Sequence, residues 1–174
     1  MIFFVHNNLD ARKYIWLKKY QNCLLICGTR HMVEPMAQYG ISTYLPLSID
    51  IKSTKRFGFW VEKDQEACYM GNPWKFRDND VEKYVPPWVH RFGQMPREQL
   101  LPIVAHYRTV YAMGLCAVEA QALGCKVKQC WWRYPEPEKD FPLFDCEDAA
   151  KLLQKAVNLL DARKKCPPDL TELA

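Results

Sequence analysis

The stretch that decides the fold spans residues 109–129 and reads TVYAMGLCAVEAQALGCKVKQ. Residues 109–112 are rich in β-branched and aromatic side chains and predict a strand. Residues 114–123 predict a helix that Gly124 ends, and residues 126–129 predict a second, short strand. Strand, helix and strand in this order form a unit whose two strands run parallel. The stretch therefore predicts an α/β fold.

The same alternation continues towards both ends of the chain. Short β-rich runs and amphipathic runs follow one another, with β-rich runs at residues 2–5, 23–27, 42–47, 67–70 and 88–92. We therefore predict a single Rossmann-like, three-layer domain over residues 1–174, with a mostly parallel sheet of about seven strands. Within this domain, residues 1–20 are an extra βα unit, residues 21–164 are the core and residues 165–174 are a tail.

Composition and charge narrow the class of protein. The chain has 174 residues, of which 49% are apolar and 25% charged, and this length does not hold two full α/β domains. No apolar run is long enough for a membrane span, and the first residues lack the features of a secretory signal, so we expect a cytoplasmic protein. The net charge of +4, with both signs interspersed, does not by itself indicate nucleic-acid binding.

Cysteines and one basic stretch were further candidates for a site. The eight cysteines show neither Cys-x-x-Cys spacing nor clustering with histidine, so we expect no metal site and no disulfide framework. The basic stretch at residues 52–63 is interpreted as a solvated loop, and the alternative is an anion site.

Loops that follow predicted strands are the places where parallel α/β sheets bind ligands. Three such loops are residues 71–77, 92–96 and 113–116, and the last of them is the most informative. Gly114 lets a ligand approach the backbone, and the amides of Gly114, Leu115 and Cys116 begin a helix whose positive end attracts phosphate. Glu119 lies about one turn further on, where it could accept hydrogen bonds from sugar hydroxyls. The alternative is that Glu119 only complements the helix dipole.

The order of these elements resembles the carboxyl-terminal, nucleotide-sugar-binding domain of GT-B glycosyltransferases. That family has a strand ending in Phe-x-Gly, a helix beginning near Glu-Leu, and a further strand. The motif Gly-x-x-x-x-Glu-Ala-x-Ala-x-Gly-x-x-Val follows and is matched here from Gly114 to Val127. The resemblance extends over about residues 21–160 and includes the family's Pro-x-x-x-Asp segment at Pro46 to Asp50.

The resemblance implies a role for each matching residue of the binding site. Glu119 would bind the nucleotide ribose, and the amides of Gly114, Leu115 and Cys116 would hold the diphosphate. The residues that flank the base would be Phe92, Gly93 and Gln94.

The resemblance also marks where this chain departs from the family. Asn72 stands where the family usually has arginine, so Lys75 or Arg77 would supply the cation that stabilises the departing diphosphate. Tyr111, eight positions before Glu119, replaces a carboxylate that contacts the donor sugar. His6, at the end of the first predicted strand, is the candidate general base, and the alternative is a hydrogen-bonded loop histidine.

We therefore expect a glycosyltransferase-like protein that transfers sugar from a nucleotide-diphosphate sugar to an unknown acceptor, without a cofactor or metal. The alternative is a non-catalytic nucleotide or nucleotide-sugar-binding module, or one subunit of a split glycosyltransferase. The aromatic connector at residues 131–144 is expected to cover the edge of the sheet, and its alternative is a surface for self-association or for a partner subunit.

Overall fold

A computed structural model describes residues 1–5, 11–20, 23–71, 81–131 and 134–165. It divides into two compact units: unit 1 comprises Met1–Leu45 and Glu147–Ala174, and unit 2 comprises Pro46–Cys146. Each unit has its own parallel sheet, of three strands in unit 1 and four in unit 2. The α/β class and the parallel strands are confirmed, whereas the strands form two sheets rather than one sheet of about seven.

The sheet of unit 1 is built around one fully buried strand. Strands β1 (Ile2–Val5), β2 (Leu24–Cys27) and β3 (Ile41–Tyr44) lie in the order β1-β2-β3. All four residues of β2 are buried, as expected for a parallel strand covered on both faces. On one face Leu25 packs against short helical segments, and on the other Leu24 packs against the carboxyl-terminal helix.

The helical segments of unit 1 are short, apart from the last. They are the 3₁₀ helix Ala11–Lys19 and three consecutive turns, namely the 3₁₀ helix Arg30–Met32, α1 (Val33–Met36) and the 3₁₀ helix Ala37–Tyr39. The long helix Cys146–Lys165 begins at the last residue of unit 2 and continues in unit 1. Across the described residues, no helix is both long and apolar enough to cross a membrane.

Unit 2 carries the four-stranded sheet. Its strands are β4 (Gln65–Met70), β5 (His90–Arg91), β6 (Tyr107–Ala112) and β7 (Lys126–Lys128), in the order β5-β4-β6-β7. Successive side chains of a strand point to opposite faces of the sheet, so each face has its own cluster of buried residues.

The α-helices of unit 2 pack on one of these two faces, while the 3₁₀ helix Val81–Lys83 contributes Val81 to the cluster on the other. The α-helices are α2 (Ile51–Lys55), α3 (Arg97–Val104), α4 (Leu115–Ala122) and α5 (Pro137–Asp140). Residues of α3 and α4 pack with alternate side chains of β4 and β6 in the larger cluster. The helix Cys146–Lys165 is α6.

The strand order creates a switch point at the centre of this sheet. The connection after β4 leads to β5 on one side, and the connection after β5 returns to β6 on the other side of β4. Val81 and Val85 of the first connection pack in the cluster on one face, whereas α3 of the second packs on the other face, as right-handed crossovers require. The connection after β6 leads to β7, away from β4, so the connections after β4 and β6 diverge at the carboxyl ends of these adjacent strands, where open α/β sheets bind ligands.

Lys63 joins α3 and α4 at their carboxyl-terminal ends. Its Nζ donates hydrogen bonds to the carbonyl oxygens of Ala105 at 2.6 Å and Leu123 at 2.7 Å, the residues that end the two helices. Both carbonyls lie at the negative ends of helix dipoles, where a cation is stabilising. The structure thus differs from the solvated loop expected at residues 52–63, because Lys63 caps two helices and Ile51–Lys55 forms α2.

Replacing Lys63 by methionine tests this double cap. Lys63→Met keeps the length of the side chain but leaves the carbonyls of Ala105 and Leu123 without their donor, so the free energy of unfolding should fall by about 2–3 kcal/mol. The measurement is urea-induced unfolding. Lys52→Met, at an exposed position, removes the same charge and should change stability by less than about 0.5 kcal/mol. Equal losses in the two variants would show that Lys63 acts only through the net charge.

Candidate functional site

The candidate site lies at the carboxyl edge of the unit 2 sheet, between the ends of β4 and β6. Gly71 directly follows β4, while Met113 and Gly114 connect β6 to α4. Two glycine-containing connections therefore begin at the switch point. This placement follows from the parallel strand order and agrees with two of the three loops selected from the sequence.

Gly114 has a backbone conformation that glycine alone adopts readily. Its φ of 61° and ψ of −138° fall outside the regions that side-chain-bearing residues favour. A Cβ atom at this position would meet only Leu47 Cδ1, at 3.9 Å, so the requirement for glycine comes from the backbone rather than from crowding. No side chain of the described residues forms a capping hydrogen bond at the start of α4, where the positive end of the helix dipole lies.

Glu119 is buried, with 4% of its surface exposed, and it forms an ion pair with Arg97. The Nε of Arg97 donates to the Glu119 carboxylate, and its Nη2 donates to Thr54 Oγ1 at 3.0 Å. Thr54 is fully buried and donates in turn to the carbonyl of Asp50 at 2.8 Å. This chain of hydrogen bonds joins α4 to α3 and to α2.

The position of Arg97 is unusual for a cation. It is the first residue of α3, where the positive end of the helix dipole disfavours a positive charge. Glu119 offsets this cost, and the guanidinium also lies 5.7 Å from the centre of the Phe57 ring. The side chain nevertheless stays 41% exposed, so one part of it is held by the protein and another part faces solvent.

The residues expected to flank the base follow β5, at the same edge of the sheet. Phe92 is half-buried, with its ring 4.6 Å from that of His90 and 5.8 Å from that of Tyr107. A Cβ built on Gly93 would meet nothing within 4 Å, and Gln94 is exposed. The space beside Gly93 is therefore open, whereas the Phe92 ring packs against His90 and Tyr107.

Tyr111 does not join Glu119. It is buried in the cluster on the opposite face of the sheet, together with Ala67 and Tyr69, and the Lys128 Nζ lies 5.8 Å from the centre of its ring. Because α4 covers the other face, the sheet separates the Tyr111 ring from Glu119. Tyr111 was expected to stand in for a carboxylate that contacts the donor sugar. In the structure its ring packs in the core of unit 2, on the face away from Glu119.

Four of the residues expected in the site lie outside the described residues. They are His6, Asn72, Lys75 and Arg77. The roles of general base and of cation that they were given stay predictions.

Burial keeps three of the core cysteines, Cys27, Cys68 and Cys130, protonated at neutral pH. Burial raises the pKa of Cys27 to about 11 and that of Cys130 to about 12, and it also raises the pKa of Cys68. Thiolates, rather than thiols, are nucleophiles and metal ligands. Within the described ranges, no three or more His, Cys, Asp or Glu residues are grouped so that they could hold a metal ion.

Arg97 and Thr54 were missed in the sequence. A signal for Arg97 was present, because a basic residue directly after Pro96, at the start of a predicted helix, opposes the helix dipole and indicates a nearby anion. Thr54 carried no such signal, since it belongs to a stretch interpreted as a loop.

Comparisons with known proteins identified no relative of this chain. No family model, no curated protein and no solved structure matches the chain. Function is therefore inferred from the geometry of the site together with the resemblance described above.

Alkylation of cysteines tests the protonation of the buried thiols. With iodoacetamide at pH 8, Cys27 should be about one-thousandth thiolate, as its pKa of about 11 implies. Cys27 and Cys130 should thus stay unmodified in the native protein and react after unfolding in guanidinium chloride. The exposed Cys146 is the internal control and should react in both states. Peptide mass spectrometry measures each site, and rapid native alkylation of Cys130 would contradict its burial.

Proposed function

We propose that unit 2 binds the diphosphate of a nucleotide sugar at the carboxyl edge of its sheet. In this proposal the chain is a glycosyltransferase-like protein that transfers the sugar to an acceptor. The observation that carries the proposal is the switch point between β4 and β6, at which Gly114 and the uncapped start of α4 lie.

The phosphate is the part of the ligand that the geometry supports best. Gly114 brings the backbone to the surface without a side chain, and the amides of Leu115 and Cys116 follow it at the positive end of α4. Amides and a helix dipole together bind phosphate groups without a metal ion. The space beside Gly93, at the end of β5, is where we place the base.

Catalysis would need further groups. In this proposal Lys75 or Arg77 stabilises the charge that accumulates on the departing diphosphate, Asn72 is one of the residues that bind the nucleotide sugar, and His6 is the general base. No metal or cofactor takes part. We also propose a cytoplasmic location, which is supported by the reduced thiols of the seven cysteines among the described residues.

A non-catalytic nucleotide-sugar-binding module is the second candidate function. It is favoured by the packing of Tyr111 in the core, at the position where the resembled enzymes have a carboxylate for the donor sugar. A chain of this kind could be one subunit of a split glycosyltransferase, with residues 131–144 as the surface for its partner or for a second copy.

Binding followed by turnover separates the two candidates. Isothermal titration calorimetry with UDP-, GDP- and ADP-sugars should show binding of at least one of them. Release of sugar from that donor by the purified chain would favour the enzyme, whereas binding without release would favour the module. The absence of binding to all the sugars tested would contradict both.

Two glycine substitutions at opposite ends of α4 test the site itself. Gly114→Ala places a side chain in a strained conformation at a cost of about 1–3 kcal/mol and turns the amides that follow. The affinity for the nucleotide sugar should fall about tenfold or more, as expected for the loss of a hydrogen bond to a charged group.

Gly124→Ala is the matched control. Gly124 also has a positive φ, of 76°, but it follows the carboxyl-terminal end of α4, where the new Cβ would lie 3.3 Å from the Phe59 ring. Thermal stability should fall in both variants, while nucleotide-sugar affinity, measured below both melting temperatures, should fall only in Gly114→Ala. A similar affinity loss in both variants would mean that the effect comes from general destabilisation.

A further inference from the structure

We propose that Arg97 is the cation that binds phosphate at this edge of the sheet, and that Glu119 is a positioning residue that orients Arg97. This inference rests on the proposed function, since it names the charged group that meets the same diphosphate. It gives Glu119 a different role from the ribose contact implied by the resemblance.

Arg97 lies beside the amides proposed to bind the diphosphate. Glu119, its ion-pair partner, is four residues after Leu115, which is about 6 Å along the axis of α4. Arg97 itself begins α3, and in a parallel sheet this helix also begins at the carboxyl edge. The guanidinium is therefore within the span of a diphosphate that contacts the first turn of α4.

The guanidinium has donors left for a ligand. Of its five N–H groups, Nε donates to Glu119 and one N–H of Nη2 donates to Thr54. In the part of the chain that the structure describes, these two acceptors leave three N–H groups on a side chain that is 41% exposed. Arginine binds phosphate oxygens through pairs of such groups, and fixing it beforehand lowers the entropy lost on binding.

The charge at this edge also favours an anion. The positive ends of the α3 and α4 dipoles both lie at this edge. There the charges of Arg97 and Glu119 offset each other, and Glu98 adds one exposed carboxylate in the first turn of α3. The dipoles and the exposed part of the guanidinium are therefore what attract an anion. Folding alone would be served equally well by a cation elsewhere along α4, away from the two helix N-termini. An anionic ligand explains why the cation is at this end.

Burial argues against a ribose contact for Glu119. Its side chain is 6% exposed, and its carboxylate already accepts a hydrogen bond from Arg97. The hydrogen bond from Arg97 uses Oε1, and burial leaves the rest of the carboxylate little access to a ribose hydroxyl.

The first experiment removes the cation. Wild type and Arg97→Met are titrated with inorganic pyrophosphate and with UDP, GDP and ADP. For pyrophosphate and for each diphosphate that wild type binds, the affinity of Arg97→Met should be lower by about ten- to a hundredfold. Arg108→Met is the matched control, because Arg108 is exposed and its Nε donates to the carbonyl of Lys63, at the opposite edge of the sheet. Its affinities should stay within twofold of wild type.

Arg97→Met leaves Glu119 buried without its partner, so a double variant is tested as well and decides the outcome if the single variant does not fold. Arg97→Met combined with Glu119→Leu removes both charges, which buried pairs often tolerate. The double variant should show the same loss of affinity for pyrophosphate.

The second experiment tests Glu119 by the sign of its effect. Pyrophosphate has no ribose, so a carboxylate that binds only ribose would not assist it, and removal of a negative charge would raise its affinity. If Glu119 holds Arg97 in place, Glu119→Leu should instead lower pyrophosphate affinity severalfold. Glu119→Gln keeps an acceptor for Arg97 Nε and should bind pyrophosphate at least as tightly as wild type. Higher affinity in Glu119→Leu than in wild type would overturn the positioning role.

The outcomes separate this inference from the proposed function. If wild type binds pyrophosphate or a nucleoside diphosphate and the Arg97 variants bind it within twofold of wild type, the inference is wrong while the proposed function stands. If wild type binds neither pyrophosphate nor any of the three nucleoside diphosphates, the proposed function fails and the inference fails with it.

Discussion

The ion pair between Glu119 and Arg97 is the constraint on which the candidate site depends. A carboxylate that is almost fully buried in a helix is tolerated only when a cation reaches it, because desolvation of an unpaired charge is costly. Arg97 meets this need and, through Thr54, extends the connection to a third helix. The start of α4 is thereby fixed against the start of α3, directly over the switch point of the sheet.

The same two helices are also joined at their other ends, and the comparison is informative. Lys63 caps the carbonyls of Ala105 and Leu123, where a cation is favoured by both helix dipoles. Arg97 lies at the ends where a cation is disfavoured. Folding alone therefore explains the position of Lys63. The position of Arg97 carries an electrostatic cost from the dipole of α3, and the ion pair with Glu119 offsets only part of that cost. Groups whose placement folding does not explain are typical of functional sites.

Local elements could be predicted from the sequence, and pairings between distant strands could not. The strand, helix and strand predicted over residues 109–129 correspond to β6, α4 and β7, because glycine and the apolar pattern act within a few residues. The division into two sheets could not be predicted from the apolar pattern, because this pattern indicates which residues are buried and not which strands pair. Lys63 was predicted to lie in a solvated loop for a similar reason. Its two acceptors are 42 and 60 residues away along the chain, so no local pattern indicates them.

The candidate site shows the same limit. Gly114 could be located from the sequence because its conformation is a local property, but the partner of Glu119 lies 22 residues earlier and depends on how two helices pack. The two interpretations of Glu119 still agree on one point. If a ribose were to bind Oε2 of Glu119, Arg97 could stay on Oε1, and its remaining N–H groups would lie beside the phosphates of the same ligand. Both interpretations thus bring Arg97 to the phosphate, and they differ only in what Glu119 holds when the ligand is bound.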